Sequence, residues 1–84
     1  MGFDPGDVNL TYGEKAVGLT FNPSGDETVH KLKTLYAEII DICNDERGKL
    51  THPIDAEKAR LYSIAITEAQ GAQMFAVTAA TWKD

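Results

Sequence analysis

The chain has 84 residues, 43% hydrophobic and 25% charged, with a net charge of −5. That length fits one domain, and an acidic balance without a basic stripe excludes long nucleic acid as a partner, although eight Lys and Arg residues can still serve a small phosphate ligand. Cys43 is the only cysteine, so no disulfide staples a core that at this size supplies only ~3–5 kcal/mol, and a metal or a partner chain must make up the difference.

In chain order, residues 1–8 hold two Gly, one Pro and two Asp and read as a flexible tail. Residues 1–17 carry no apolar stretch behind a basic start, so no signal peptide is expected. No apolar run reaches the ~20 residues of a membrane span, and a reducing cytoplasm is the expected compartment. Residues 9–24 form an N-terminal arm and linker, with 9–17 either a short helical turn or an extended arm. The linker gathers Gly18, Phe21, Asn22, Pro23, Ser24 and Gly25 into a few positions.

A first long helix is expected over 25–47. Ser24 and Glu27 stand at capping-box spacing, Asp26 and Glu27 suit the positive helix end, and Gly48 follows Arg47 as a left-handed stop. Its apolar residues, Val29 through Cys43, span an arc of roughly 160° at 100° per residue. Lys33 falls on the edge of that arc, near Val29 and Ile40; His30, Thr34 and Asp41 fall on the opposite, wet face. A second helix is expected over 55–82, with Asp55 as N-cap and an interior Gly71. Ala65, Ala69, Ala72, Ala76, Ala79 and Ala80 make one narrow face of small residues. With Leu61, Ile64, Ile66, Phe75, Val77 and Trp82 the apolar arc reaches roughly 220°. A single hairpin cannot cover arcs that wide. The expectation is therefore all-α: an antiparallel two-helix hairpin with a short N-terminal segment, assembled as a homo-oligomeric bundle.

Catalytic chemistry is hard to assemble. His30 and His52 have no neighbouring partner that suggests a triad, Cys43 and the histidines make no metal spacing, and no phosphate-loop or dinucleotide fingerprint is present. Glu38, Asp41 and Asp45 read as helix surface, and Glu68 alone could face an interface. No enzyme, metal or cofactor is expected. Binding has more material: Phe21 to stack on a base, Asn22 and Ser24 to hydrogen-bond, open N–H groups at the helix start, and Lys15, His30, Lys31 and Lys33 nearby. From the residues alone, a plain helical interaction module stands beside a small-nucleotide binder.

Three features carry a family resemblance: the FNPSG entry at 21–25, the V-x-x-[IL]-K pattern from Val29 to Lys33, and the T-E-x-Q-x-A-x-M run from Thr67 to Met74. Over residues 18–82 the chain resembles the hairpin domain shared by the phage anti-defence proteins Acb2 and Tad1. The resemblance implies a sponge that binds cyclic nucleotide immune signals and holds them uncleaved in the host cytoplasm. The ligands implied are the cyclic dinucleotides and trinucleotides of CBASS immunity or the cyclic ADP-ribose isomers of Thoeris immunity, with the Acb2 type favoured. It also implies hexamers with pockets between subunits. Carried over by position, Lys33 matches a ligand-contacting lysine and Phe21 an aromatic before the first long helix. Some members place a Tyr where this chain has Gly18, so Tyr12 could substitute from the arm. Asn22, Ser24 and Gly25 line the same pocket, with His30 near it. An arginine used for trinucleotides aligns near Ile66, leaving Arg60 almost two turns away.

Overall fold

The computed structural model describes residues 9–84; the expected tail at 1–8 lies outside them. Three α-helices carry the fold: α1, Tyr12–Ala16; α2, Glu27–Gly48; and α3, Ala56–Ala80, which a 3-10 turn at Pro53–Asp55 introduces. No strand occurs among the described residues.

The arm is helical because it is capped at both ends. Thr11 Oγ accepts from the Glu14 N–H and the Glu14 side chain accepts from the Thr11 N–H, a reciprocal capping box. At the other end Gly18, at φ +62°, turns the chain left-handed. The Gly18 N–H then donates to Lys15 O and the Leu19 N–H to Glu14 O, which satisfies two carbonyls that a helix end leaves open. Five residues would not hold a helix by propensity alone. Docking on α2 supplies the rest.

That docking is close. Gly13 is buried, and a Cβ placed on it would lie 2.1 Å from the Ala37 carbonyl oxygen. Asp41 clamps the contact: its carboxylate accepts from Thr11 Oγ1 at 2.7 Å and from the Gly13 N–H at 2.7 Å. Asp41 is therefore an anchor and not the solvated residue expected of its helix face. Thr34 departs from the same expectation, for its hydroxyl is buried without a partner.

α2 starts differently from the expected Ser24–Glu27 box. Asp26 is the N-cap, its side chain accepting from the Val29 N–H, and Ser24 is exposed in the linker. A carboxylate one residue before the helix does the work because Gly25, at φ +64°, turns the chain behind Ser24 and carries it away from the helix start. Gly48 closes α2 as a helical residue and not as a left-handed stop, with Lys49 as C-cap. Asp55 does occupy the N-cap position of α3, but its side chain makes no capping bond because the 3-10 turn already delivers the chain in a helical sense.

α2 and α3 form the antiparallel hairpin. Arg47, near the end of α2, donates to Ser63 Oγ near the start of α3 at 3.0 Å, and its guanidinium lies 5.9 Å from the Tyr12 ring centre on α1. The core is small: Val17, Ala37, Ile40 and Ile66, with Ala16, Leu19, Tyr36, Cys43 and Ala69 packed around it. Val29, Lys33, Ala37 and Ile40 supply the buried face of α2 at helical spacing. Much of the apolar material stays outside. Leu35, Ile39 and Ile42 share a second, exposed face of α2, and Leu61, Ile64, Met74 and Phe75 are exposed on α3. Glu68 and the alanines at 65, 72 and 79 are exposed as well.

Candidate functional site

The linker between α1 and α2 is pinned at both ends and across its middle. The Phe21 N–H donates to Gly18 O, and the Gly25 N–H to Asn22 O. Asn22 spends its amide on Asp26: Nδ2 donates to the Asp26 carbonyl at 2.9 Å, and Oδ1 accepts from the Asp26 N–H at 3.2 Å. The loop is thus held by contacts within the chain, and Asn22 is its brace.

Lys33 closes the loop from below. Its side chain is 5% exposed, and its ammonium donates to Gly18 O at 2.9 Å and to Phe21 O at 2.5 Å. The Phe21 ring, 73% exposed, stands with its centre 5.6 Å from the same nitrogen, within cation–π reach. Burial lowers the Lys33 pKa from its ordinary 10.5. No carboxylate pairs with it: the ion pairs among the described residues are Lys49–Glu46 and Arg60–Glu57, both on the exposed surface. The ammonium is held by carbonyl dipoles without a neutralising acid, and of its three donors two are in use.

Above this cation lies a cleft of about 280 Å³, lined by Phe21, Asn22, Pro23, Ser24, Val29, Lys33, Val77 and Thr81. The structure therefore brings Lys33, Phe21, Asn22 and Ser24 together, with Gly25 in the turn beside them. Val77 and Thr81, from the far end of α3, complete the wall; sequence reasoning placed Val77 in an apolar arc and did not single out Thr81. The only signal that could have found them is the antiparallel pairing itself, which sets the end of α3 beside the start of α2.

Three candidate residues fall elsewhere. Tyr12 lies by Arg47, and 14 positions of α2 at 1.5 Å each put it on the order of 20 Å along the axis from Lys33. It cannot replace Phe21 within one chain. Gly18 cannot carry an aromatic without strain, since its left-handed φ of +62° closes α1. Arg60 pairs with Glu57 at 2.6 Å on the outer surface near the start of α3. His30 is exposed and lines a shallow depression with Lys31, Thr34 and Leu35, outside the Lys33 cleft. Nor is the start of α2 an open anion seat, because the Asp26 carboxylate already takes the Val29 N–H.

No cluster of His, Cys, Asp and Glu able to hold a metal occurs among the described residues, and no helix there is long and apolar enough to cross a membrane. A family model described as Acb2/Tad1, hairpin domain, matches residues 14–81. No curated protein and no solved structure matches the chain.

Proposed function

This chain belongs to the Acb2/Tad1 hairpin-domain family, and on that premise we propose that it is a phage anti-defence sponge, sequestering cyclic oligonucleotide immune signals in the host cytoplasm without cleaving them. Cyclic dinucleotides of CBASS signalling are the first ligands proposed, and cyclic trinucleotides the second. The observation that carries the reading is the Lys33 ammonium: buried, unpaired with any acid among the described residues, and set at the floor of a cleft whose rim is the exposed Phe21 ring. A ligand phosphate supplies the missing counter-charge through a charge-assisted hydrogen bond, and a base stacks on Phe21. Nothing in that pairing activates water or a nucleophile, so the ligand leaves as it entered.

Homo-oligomers, with six subunits as the proposed number, account for the second apolar face. Leu35, Ile39 and Ile42 form a stripe one and two turns apart, and contiguous exposed stripes of this kind mark interaction surfaces. The same stripe supports the rival reading, a helical adaptor that docks on a host protein. Isothermal calorimetry against cyclic dinucleotides, cyclic trinucleotides and a cyclic ADP-ribose isomer tests the sponge. Tight binding, with the ligand recovered intact after the protein is heated, is the expected result; a panel in which nothing binds ends it. Light scattering separates the rival, which requires a monomer in the absence of its partner.

A further inference from the structure

The exposed stripe of α2 is ordered by charge as well as by apolarity. Leu35, Ile39 and Ile42 are 60%, 48% and 63% exposed, while Ile40 on the core side is 0%. Along one flank of the stripe stand Lys31, Glu38 and Asp45, all exposed and each seven residues from the next. Seven residues make nearly two full turns, so the three lie almost in line, with Lys31 about 21 Å from Asp45 along the axis. Neither Lys31 nor Asp45 has an ion-pair partner among the described residues, where the pairs are Lys49–Glu46 and Arg60–Glu57.

This pattern complements itself when reversed. Leu35 and Ile42 are equally far from the step between Glu38 and Ile39, and Lys31 and Asp45 are equally far from Glu38. A two-fold axis at that step lays a second α2 antiparallel on the first. Leu35 then meets Ile42 of the other copy, and Ile39 packs at the centre. Lys31 meets Asp45 of the other copy, twice over, because a two-fold repeats every contact. A parallel pairing instead sets Lys31 on Lys31 and Asp45 on Asp45, like charge on like. A host protein would have to supply an apolar stripe with a base at one end and an acid at the other. A copy of this chain already carries one.

We propose that α2 pairs with α2 of a second copy, antiparallel and two-fold about the Glu38–Ile39 step, burying Leu35, Ile39 and Ile42 between Lys31–Asp45 pairs at both ends. The proposal rests on the homo-oligomer reading and gives that oligomer a contact and an orientation. It carries one cost: the two Glu38 side chains flank the axis on the same side, like charges near each other.

Sedimentation of the full chain tests it. Lys31→Glu and Asp45→Lys should each weaken self-association roughly three- to thirtyfold, and the double variant should restore it to within about threefold. Glu38→Gln should tighten association, since it removes the like charges at the axis. Orientation is read by cross-linking with a short bismaleimide in a Cys43→Ser background. Thr28 and Lys49 are exposed and equally far from the same step, so Thr28→Cys chains should join Lys49→Cys chains. Thr28→Cys chains alone should not join, because their two thiols stand about 31 Å apart in the antiparallel pair. Joining within Thr28→Cys alone overturns the orientation. No rescue in the double variant, or no cross-link in a chain that still sediments as an oligomer, overturns the pairing and leaves the oligomer standing. A parent that sediments as a single chain overturns both, which is the outcome the adaptor requires.

Discussion

Lys33 and Phe21 grip each other twice: the ammonium donates to the Phe21 carbonyl and lies 5.6 Å from the centre of the Phe21 ring. One cation thus fixes both the backbone and the outlook of the residue that rims the cleft. Removing it disturbs the loop as well as the charge.

Lys33→Met keeps the buried stem and deletes both. Hydrogen bonds to a charged group contribute about 1.5–3 kcal/mol, so cyclic dinucleotide affinity should fall at least tenfold by calorimetry. Amide exchange at Phe21 should also accelerate, as its carbonyl tether is lost. Unchanged affinity would remove Lys33 from the site.

pH separates the two roles of the same ammonium. Its folded pKa is lowered by burial from 10.5, so as pH rises towards that value the unfolded chain retains this proton longer than the folded one. The Lys33 contribution therefore makes the fold more stable with rising pH in that window, while anion binding through the ammonium weakens. Urea midpoints and calorimetry at pH 8 and pH 10 should show opposite trends once the same measurements on Lys33→Met are subtracted. Parallel trends would show that the charge on Lys33 does not govern binding.

Gly13→Ala tests the docking of the arm. The new Cβ would meet the Ala37 carbonyl oxygen at 2.1 Å, a backbone atom that cannot move aside. The arm must shift, breaking the Asp41 clamp, and a loss of about 1–3 kcal/mol is expected from overpacking. Gly71→Ala is the contrast, since nothing lies within 4 Å of its added Cβ. It should gain up to about 1 kcal/mol of helix stability. Thermal unfolding checks both; a loss at Gly71 would show that another copy's backbone approaches there.

Leu35→Glu and Ile42→Glu place charge on the exposed face of α2, where neither residue belongs to the core. Helicity should hold while sedimentation velocity shifts from oligomer to single chains. Oligomers that persist in both variants would move the interface to the alanine-rich side of α3.

The helices were legible because their periodicity is strong: Val29 and Ile40 fell in the apolar arc of the first long helix and Lys33 stood out as a cation on its edge, whereas Ala37, which completes the buried face, is too small to stand out in such an arc. The misplacements are contacts between residues far apart in sequence. Asp41 reads as surface until Gly13, 28 positions earlier, is known to sit on it. Ser24 has ideal cap spacing, but the turn at Gly25 hands the task to Asp26. Tyr12 and Phe21 are close in sequence and lie at opposite ends of the contact because α1 runs antiparallel to α2. Val77 and Thr81 enter the cleft only through the pairing of α2 with α3.

The clamp of Asp41 on Gly13 and the Asp26 cap fasten the two shores of the linker, and Lys33 ties its span. If the chain is a sponge, as proposed, capture involves no prior folding of this loop, and its rate follows collision and orientation, about 10⁵–10⁷ M⁻¹s⁻¹ for unassisted docking and faster for a small ligand. A trap that must intercept a messenger before the messenger reaches its receptor is in a race, and a doorway already open is worth more there than a tighter grip that closes late.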